Sequence, residues 1–447
     1  MKRAGWAVAV VGIIVAVAAG YRALVRDAGP AAARPPAVNP PLVGALAEAH
    51  PSFLYGRITT IDGITYEGRL RWGGDEEAFW GNYFNGAKKE NPWAAHVPPE
   101  RLPKGRRAIE IFGFEIGLRD HPLGLGRLFM ARFGDIARIE ARGRDVRVTL
   151  KSGTVFDLDR FSASDFDDGV RVWDGRRGAV DLDSLRIGAI ELLPTPRPGA
   201  APGRIHGTVR TRQGGFTGFV QWSREECVGA DRLDGQTVGG EIRLRFDTIR
   251  SIARRSSDSS LVTLLDGREI VLSGAREVGR GNRGVYVDDP RYGRVLVSWD
   301  AFEAVEFSPG GSGPAYGDFP PGGPLRGSVI TRAGRRLAGW LVYDLDESEV
   351  TETLDAPSNG VDYTIPFGLI AAIVLPGPEE RGPQRARVTL HSGEVLPLEL
   401  TGDLGAGNAG MLIFAAGGQR PEYVPWTDVE RIDLESPPAM YPPLAGH

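Results

Sequence analysis

Three sequence elements recur three times, in the same order, along this 447-residue chain, which restricts its architecture to a tandem array of one β-rich unit. The first element reads Gly-x-[Ile/Val]-x-Thr-x-x-Gly, then four or three residues, then Gly-x-[Leu/Val]-x-[Trp/Tyr]. It runs from Gly56 to Trp72, from Gly207 to Trp222 and from Gly327 to Tyr343. The second is Phe-x-x-Ile-x-x-Ile, starting at Phe133, Phe246 and Phe367. The third is Val-Thr-Leu-x-[Ser/Asp]-Gly-x-x-x-x-Leu, spanning Val148–Leu158, Val262–Leu272 and Val388–Leu398.

Inside each repeat the apolar residues alternate, as half-buried strands require. Val148 and Leu150 share one face, Thr149 and Lys151 the other, and Phe156 and Leu158 resume the apolar face after Ser152-Gly153. Ser152-Gly153, Asp62-Gly63, Asp266-Gly267 and Ser392-Gly393 supply the positive φ of tight hairpin turns. Phe-x-x-Ile-x-x-Ile ends one alternating run and starts another, so its period of three predicts a single helical turn between strands.

These features predict an all-β protein with three repeats, at 53–193, 204–308 and 325–435. Pro/Gly linkers at 194–203 and 309–324 separate them, and a Pro-rich tail follows at 436–447. Short bent strands, Gly-marked hairpins and a helical turn before the last strand resemble SH3-like or Sm-like small β-barrels. The overall pattern is similar to uncharacterised repeat proteins of bacterial envelopes. The resemblance implies three tandem barrel-like modules, each repeat holding two small barrels or one larger sandwich. It carries no family-specific binding motif.

Residues 1–27 open with Met1-Lys2-Arg3 and an uncharged apolar run from Ala4 to Tyr21, expected to form a helix. Eighteen residues make about 27 Å of helix, against a hydrocarbon core of about 30 Å. Ala16-Val17-Ala18 also fits a cleavage site, so the segment reads as a single-pass anchor in the inner membrane or as a signal peptide. Lys2 and Arg3 direct the repeats out of the cytoplasm in both cases, leaving them membrane-tethered, or periplasmic or secreted after cleavage. Residues 28–52, rich in Ala and Pro, read as a semi-rigid spacer. Cys227 is the lone cysteine, so no intrachain disulfide can form.

Two sets of residues are candidates for contact with something outside the chain. Each repeat carries two acids shortly after the aromatic that ends its first element: Asp75 and Glu76, Glu225 and Glu226, Asp346 and Glu347. Asn85, Asp234 and Asp355 follow further on. Such acids suit a hard cation or a basic partner, or, more plainly, a solvated loop that keeps a sheet edge from pairing. The second set lies in an insertion of repeat 1, about 80–130, which bears Trp80, Tyr83, Phe84, Lys88, Lys89 and Trp93 and an alternating run Ile109–Phe114 expected to add a strand. A long loop of this kind suits a partner-contact surface. Trp72, Trp222, Trp299 and Trp426 stand at matched places and are read as core in preference to sugar-stacking platforms.

The net charge of −4, with basic residues scattered, lacks the footprint of a nucleic-acid binder. There is no Gly-Lys pair for a P-loop, no zinc-ligand spacing and no Gly-x-Ser-x-Gly elbow. The expectation is therefore a non-catalytic envelope scaffold with no cofactor, no catalytic residues and no metal centre. It would bind an envelope protein through loops and sheet edges; the alternative is a binder of cell-wall or matrix glycan.

Overall fold

The computed structural model describes residues 50–73, 76–98, 127–160, 164–196, 203–310, 313–377, 384–416 and 420–437, together with the backbone of two short strands at Ile109–Ile111 and Phe114–Ile116. The apolar run 4–21, nearly all of the spacer, Asp75, most of the insertion beyond Pro98 and the last ten residues of the tail lie outside the described residues.

The chain is all-β, as the alternating pattern predicts. Repeat 2 shows the plan: ten strands at His206–Thr211, Gly214–Gln221, Arg232–Thr237, Gly240–Arg245, Ile249–Arg254, Ser259–Leu264, Glu269–Ser273, Val285–Asp289, Gly293–Val297 and Phe302–Phe307. Numbered in chain order, they hydrogen-bond in the order fourth, third, seventh, sixth, fifth, tenth, first, second, eighth, ninth. Repeat 1 reproduces this order, read from the opposite edge, in a sheet of 10 strands. Repeat 3 reproduces it for eight strands. Its third and fourth, Thr353–Ser358 and Val361–Pro366, instead extend the sheet of repeat 2, where Val295 pairs with Tyr363 and Val297 with Val361.

The helical turns predicted from Phe-x-x-Ile-x-x-Ile are present as 3-10 turns at Phe133–Asp135, Phe246–Thr248 and Phe367–Leu369. Each drops its Phe and both Ile side chains into the core, none more than 3% exposed. The Val-Thr-Leu elements form hairpins, with Gly153, Gly267 and Gly393 at φ near +89° in the turns. Ile109–Phe114 differs from expectation. It is split into two strands that pair with each other, Ile109 opposite Ile116, and adds to neither neighbouring sheet.

The third glycine of the first element, present in all three repeats, serves a purpose that no turn demands. A Cβ on Gly68, Gly218 or Gly339 would lie 1.9, 2.0 or 2.1 Å from the carbonyl oxygen of Trp173, Asp288 or Phe414 on the neighbouring strand. Backbones meet there more closely than any side chain permits.

Packing joins the repeats. One buried cluster is continuous through repeats 2 and 3, while a second fills repeat 1 and takes in Phe219 and Phe319 from beyond it. Among the described residues no helix is long and apolar enough to cross a membrane.

Candidate functional site

The acidic loops of repeats 2 and 3 are built alike, and repeat 1 closes its loop with the same pair of backbone bonds, between Trp72 and Glu76. In repeat 2, Trp222 N donates to Glu226 O at 2.8 Å and Glu226 N returns a bond to Trp222 O at 3.1 Å. Between them Ser223 and Arg224 have φ of 51° and 64°, the positive values that both central residues of a type I′ turn require. Asp344 and Leu345 repeat this at 49° and 56°, and Gly73 takes 54° in repeat 1.

Beneath the turn the aromatic is clamped. Trp222 Nε1 donates to Glu277 O at 3.1 Å, and Glu277 Oε2 accepts from Asp234 N at 2.9 Å. Tyr343 Oη donates to Asp403 O at 2.8 Å, and Asp403 Oδ2 accepts from Asp355 N at 2.7 Å. In repeat 1 Trp72 Nε1 bonds Asp165 O, and Asp165 Oδ2 accepts from Asn85 N at 2.6 Å. Asn85, Asp234 and Asp355 are therefore anchor points for a carboxylate that stands over the buried ring. A further side chain, Asn82, Asp231 or Glu352, accepts from two successive backbone N–H groups after the turn.

The acids themselves divide into two kinds. Glu225 is held by Arg276 at 2.6 Å and by Arg283, and Asp346 by the buried Lys88 at 3.1 Å. Glu226 and Glu347 each keep a buried Oε2 with no hydrogen-bond partner. Burial, then the nearby Glu277, pushes the Glu226 carboxyl up to about 8. Burial followed by Asp346 and Asp403 drives Glu347 well above the ordinary carboxylate range. Of the remaining candidates, Glu76 shares the turn through its backbone, and Asp75 lies outside the described residues. Among the described residues no three His, Cys, Asp or Glu side chains are grouped to hold a metal ion.

The insertion residues, expected to face a partner, mostly face the rest of the chain. Trp80, Tyr83 and Phe84 are at most 4% exposed. Phe84 packs edge-on to Trp72, Trp80 lies against Phe319, and Tyr83 lies beneath the guanidinium of Arg294 from repeat 2. Trp93 meets Trp340 at 5.1 Å and Phe414 at 5.9 Å, and Asn91 Nδ2 donates to Leu345 O at 2.7 Å. Lys88 is buried between Asp346 and Glu352, at 3.1 and 2.7 Å, over the ring of Phe156. Burial opposes its charge, but the carboxylates of Asp346, Glu352 and Glu347 outweigh it and hold its pKa above the usual lysine value. Lys89 alone of the six reaches out, pairing with Asp145 at 3.0 Å on the surface. The described part of the insertion is thus a strap from repeat 1 onto repeats 2 and 3, because its aromatics find apolar partners there before any external one.

The repeated tryptophans are core: Trp72 and Trp222 are 0% exposed, Trp299 5% and Trp426 9%. A cleft of about 270 Å³ lies between Asp135 and Pro320, Pro321, Pro324 and Glu435. That is below the usual size of a small-molecule site, and Asp135 is already paired with Arg132 at 2.6 Å.

Among the described residues seven large apolar side chains are exposed, Ile61, Ile64, Val155, Leu185, Val238, Leu265 and Val395, and three of them lie on adjoining loops at one end of repeat 1. Ile61 and Leu185 are each 73% exposed and Ile64 36%, on two loops joined by a bond from Ile61 N to Arg186 O at 3.0 Å. Sequence reasoning passed over these residues. The available signal was a break in the repeat: repeats 2 and 3 have Arg212 and Arg332 in place of Ile61, and Asp300 and Thr427 in place of Leu185. No known protein family, curated protein or solved structure matches this chain.

Proposed function

We propose that the chain is an exported, membrane-anchored, non-catalytic scaffold of the cell envelope that binds a protein partner through the end of repeat 1 marked by Ile61, Ile64 and Leu185. The single observation that carries this reading is their joint exposure on adjoining loops, where the other repeats place polar side chains at the positions of Ile61 and Leu185. Clustered apolar side chains on a surface mark interaction sites, whereas scattered ones do not. Export and anchoring rest on Lys2, Arg3 and the run Ala4–Tyr21.

We also read each repeat as two small SH3-like or Sm-like modules. Strands one, two, eight, nine and ten follow the order nine-eight-two-one-ten, with a 3-10 turn at Trp426–Asp428 before the last strand of repeat 3. Strands three to seven follow four-three-seven-six-five. Each order is a meander whose first and last strands pair, as in a five-stranded barrel, and the second set interrupts the first between strands two and eight.

The strap and the shared core make the repeats one platform instead of beads on a tether, so they do not supply avidity as independent modules. Burial of the recurring tryptophans supports a protein over a glycan as the partner. The test is co-purification from cells of the full-length chain and of an Ile61→Asp/Leu185→Asp variant. A discrete protein retained by the first and lost from the second, with both folded, is the expected result. A partner retained equally by both rejects the surface.

A further inference from the structure

The junction between repeats 1 and 2 holds more buried positive charge than the described residues neutralise. Arg204, from the start of repeat 2, has a side chain 5% exposed, and Arg294, on the ninth strand of that repeat, 10%. They share one carboxylate, Asp288, itself 4% exposed. Arg294 Nε bonds Asp288 Oδ1 at 3.1 Å, while Arg204 Nη2 stands 4.0 Å from Oδ2, beyond hydrogen-bond reach. Arg204 Nε, Arg204 Nη1 and Arg294 Nη2 are all buried with no partner among the described residues. The next carboxylate, Glu77, is committed to Arg69 and accepts from the Cys227 thiol at 3.6 Å.

A guanidinium cannot shed its proton inside a protein, so the surplus cannot be removed by titration. An uncompensated buried charge is strongly destabilising. Aromatic faces offset part of this: Arg204 lies 4.2 Å from the Phe219 ring centroid, and Arg294 lies 4.3 and 4.7 Å from those of Tyr286 and Tyr83. They do not satisfy the three N–H-bearing nitrogens. The histidines beside the site respond to the same charge. Burial and then Arg204 lower the pKa of both His50 and His206, so neither adds a cation there.

The constellation is a local addition to the repeat. Arg204 occupies the position of Phe53 and Pro324, and Asp288 that of Trp173 and Phe414. Repeat 1 closes over it with Gly81, where a Cβ would lie 2.1 Å from Asp288 Oδ2 and 3.0 Å from Arg204 Nη2.

We propose that this junction binds one small anion, chloride or an inorganic oxyanion, between Arg204 and Arg294. The anion takes the unpartnered guanidinium N–H groups and balances the charge that Asp288 leaves over. It ties the docking of repeat 1 onto repeat 2 to the anion supply outside the cytoplasm.

The test is thermal unfolding of the full-length protein at constant ionic strength, with gluconate replaced stepwise by chloride in one series and by inorganic phosphate in another. A saturable rise in Tm is expected in one series, about 2 °C at ten times the dissociation constant. It should vanish in Arg294→Met and persist in Arg212→Met, whose side chain is 91% exposed. A response to chloride alone assigns a monoatomic ion, and a response to phosphate an oxyanion. No saturable rise in either series, or an equal rise in Arg294→Met, overturns the proposal. If Arg294→Met does not fold, crystals of the unaltered protein soaked in bromide and, separately, in selenate decide: an anomalous peak in contact with the Arg204 and Arg294 guanidinium nitrogens in either soak supports the site, and no peak there in both rejects it.

Discussion

Replacing Lys88 by Met removes the one cation between two buried carboxylates and should weaken the strap from repeat 1 onto repeat 3. Asp346 and Glu352 have side chains only 5% and 8% exposed, and Lys88 reaches both. Deleting one member of a buried ion pair costs about 3–5 kcal/mol, because the partner is left charged and unsolvated. Two stranded acids place Lys88→Met at the upper part of that range, eased by the fit of a methionine stem to the same channel. An exposed pair gives the contrast. Arg210 and Glu306 are both 64% exposed, and Arg210→Met should cost less than about 0.5 kcal/mol.

The assay is urea unfolding followed by tryptophan fluorescence, which Trp93 and Trp340 beside the strap make sensitive to its release. The pH dependence supplies a second check. In the folded protein the pKa of Lys88 is raised above its ordinary 10.5, so its stabilisation is complete below that value and is lost only as pH climbs through the higher folded pKa. The unaltered protein should owe no pH dependence to Lys88 between about pH 6 and 9. A loss below about 1 kcal/mol, the size of an exposed pair, would refute the reasoning.

Three further outcomes are expected. Trp299→Ala should destabilise repeat 2 by about 3–5 kcal/mol in the same assay, since the ring is 5% exposed and stacked on Phe302 at 5.2 Å; an unchanged midpoint removes Trp299 from the core. Gly218→Ala puts a methyl against Asp288 O and should lower stability by at least about 2 kcal/mol, whereas Gly267→Ala at a hairpin tip meets no neighbour and loses only turn energy, about 1 kcal/mol. The Glu226 carboxyl, raised to about 8 when folded, contributes stability that is complete below its unfolded value of 4.5 and is lost as pH rises to about 8. Glu226→Gln should abolish that decline and be more stable than the unaltered protein at pH 8.5 by at least about 1 kcal/mol; parallel stability profiles for the two proteins contradict the assignment.

The fold was legible where its signals are local. Alternation in Val148–Leu150, the turn glycines Gly153, Gly267 and Gly393, and the period of three after Phe133 each depend on neighbours a few residues away. The glycines at 68, 218 and 339 were not interpretable, because their reason is a carbonyl on a strand 70 to 105 residues downstream. The recurring acids are visible in the sequence, but the tight turn and the clamped aromatic around them are not. Repetition selects what every repeat needs, and each needs a tight turn, a clamped aromatic and a capped loop, roles that Trp222, Glu277 and Asp231 fill in repeat 2. Lys88 was read as a surface residue because its partners Asp346 and Glu352 are more than 250 residues away. Residues that depart from the repeat, Ile61, Leu185, Arg204 and Asp288, were the better guide to what the frame does not require.

The most direct measurement is in-cell photo-crosslinking of the full-length chain from single positions at 61, 265 and 395, analysed for both proteins and sugars. All three are exposed apolar sites, at 73%, 57% and 51%. The account predicts a discrete protein adduct from position 61 and none from the other two. Adducts from 265 or 395 with none from 61, or captured sugar in place of protein, would contradict it.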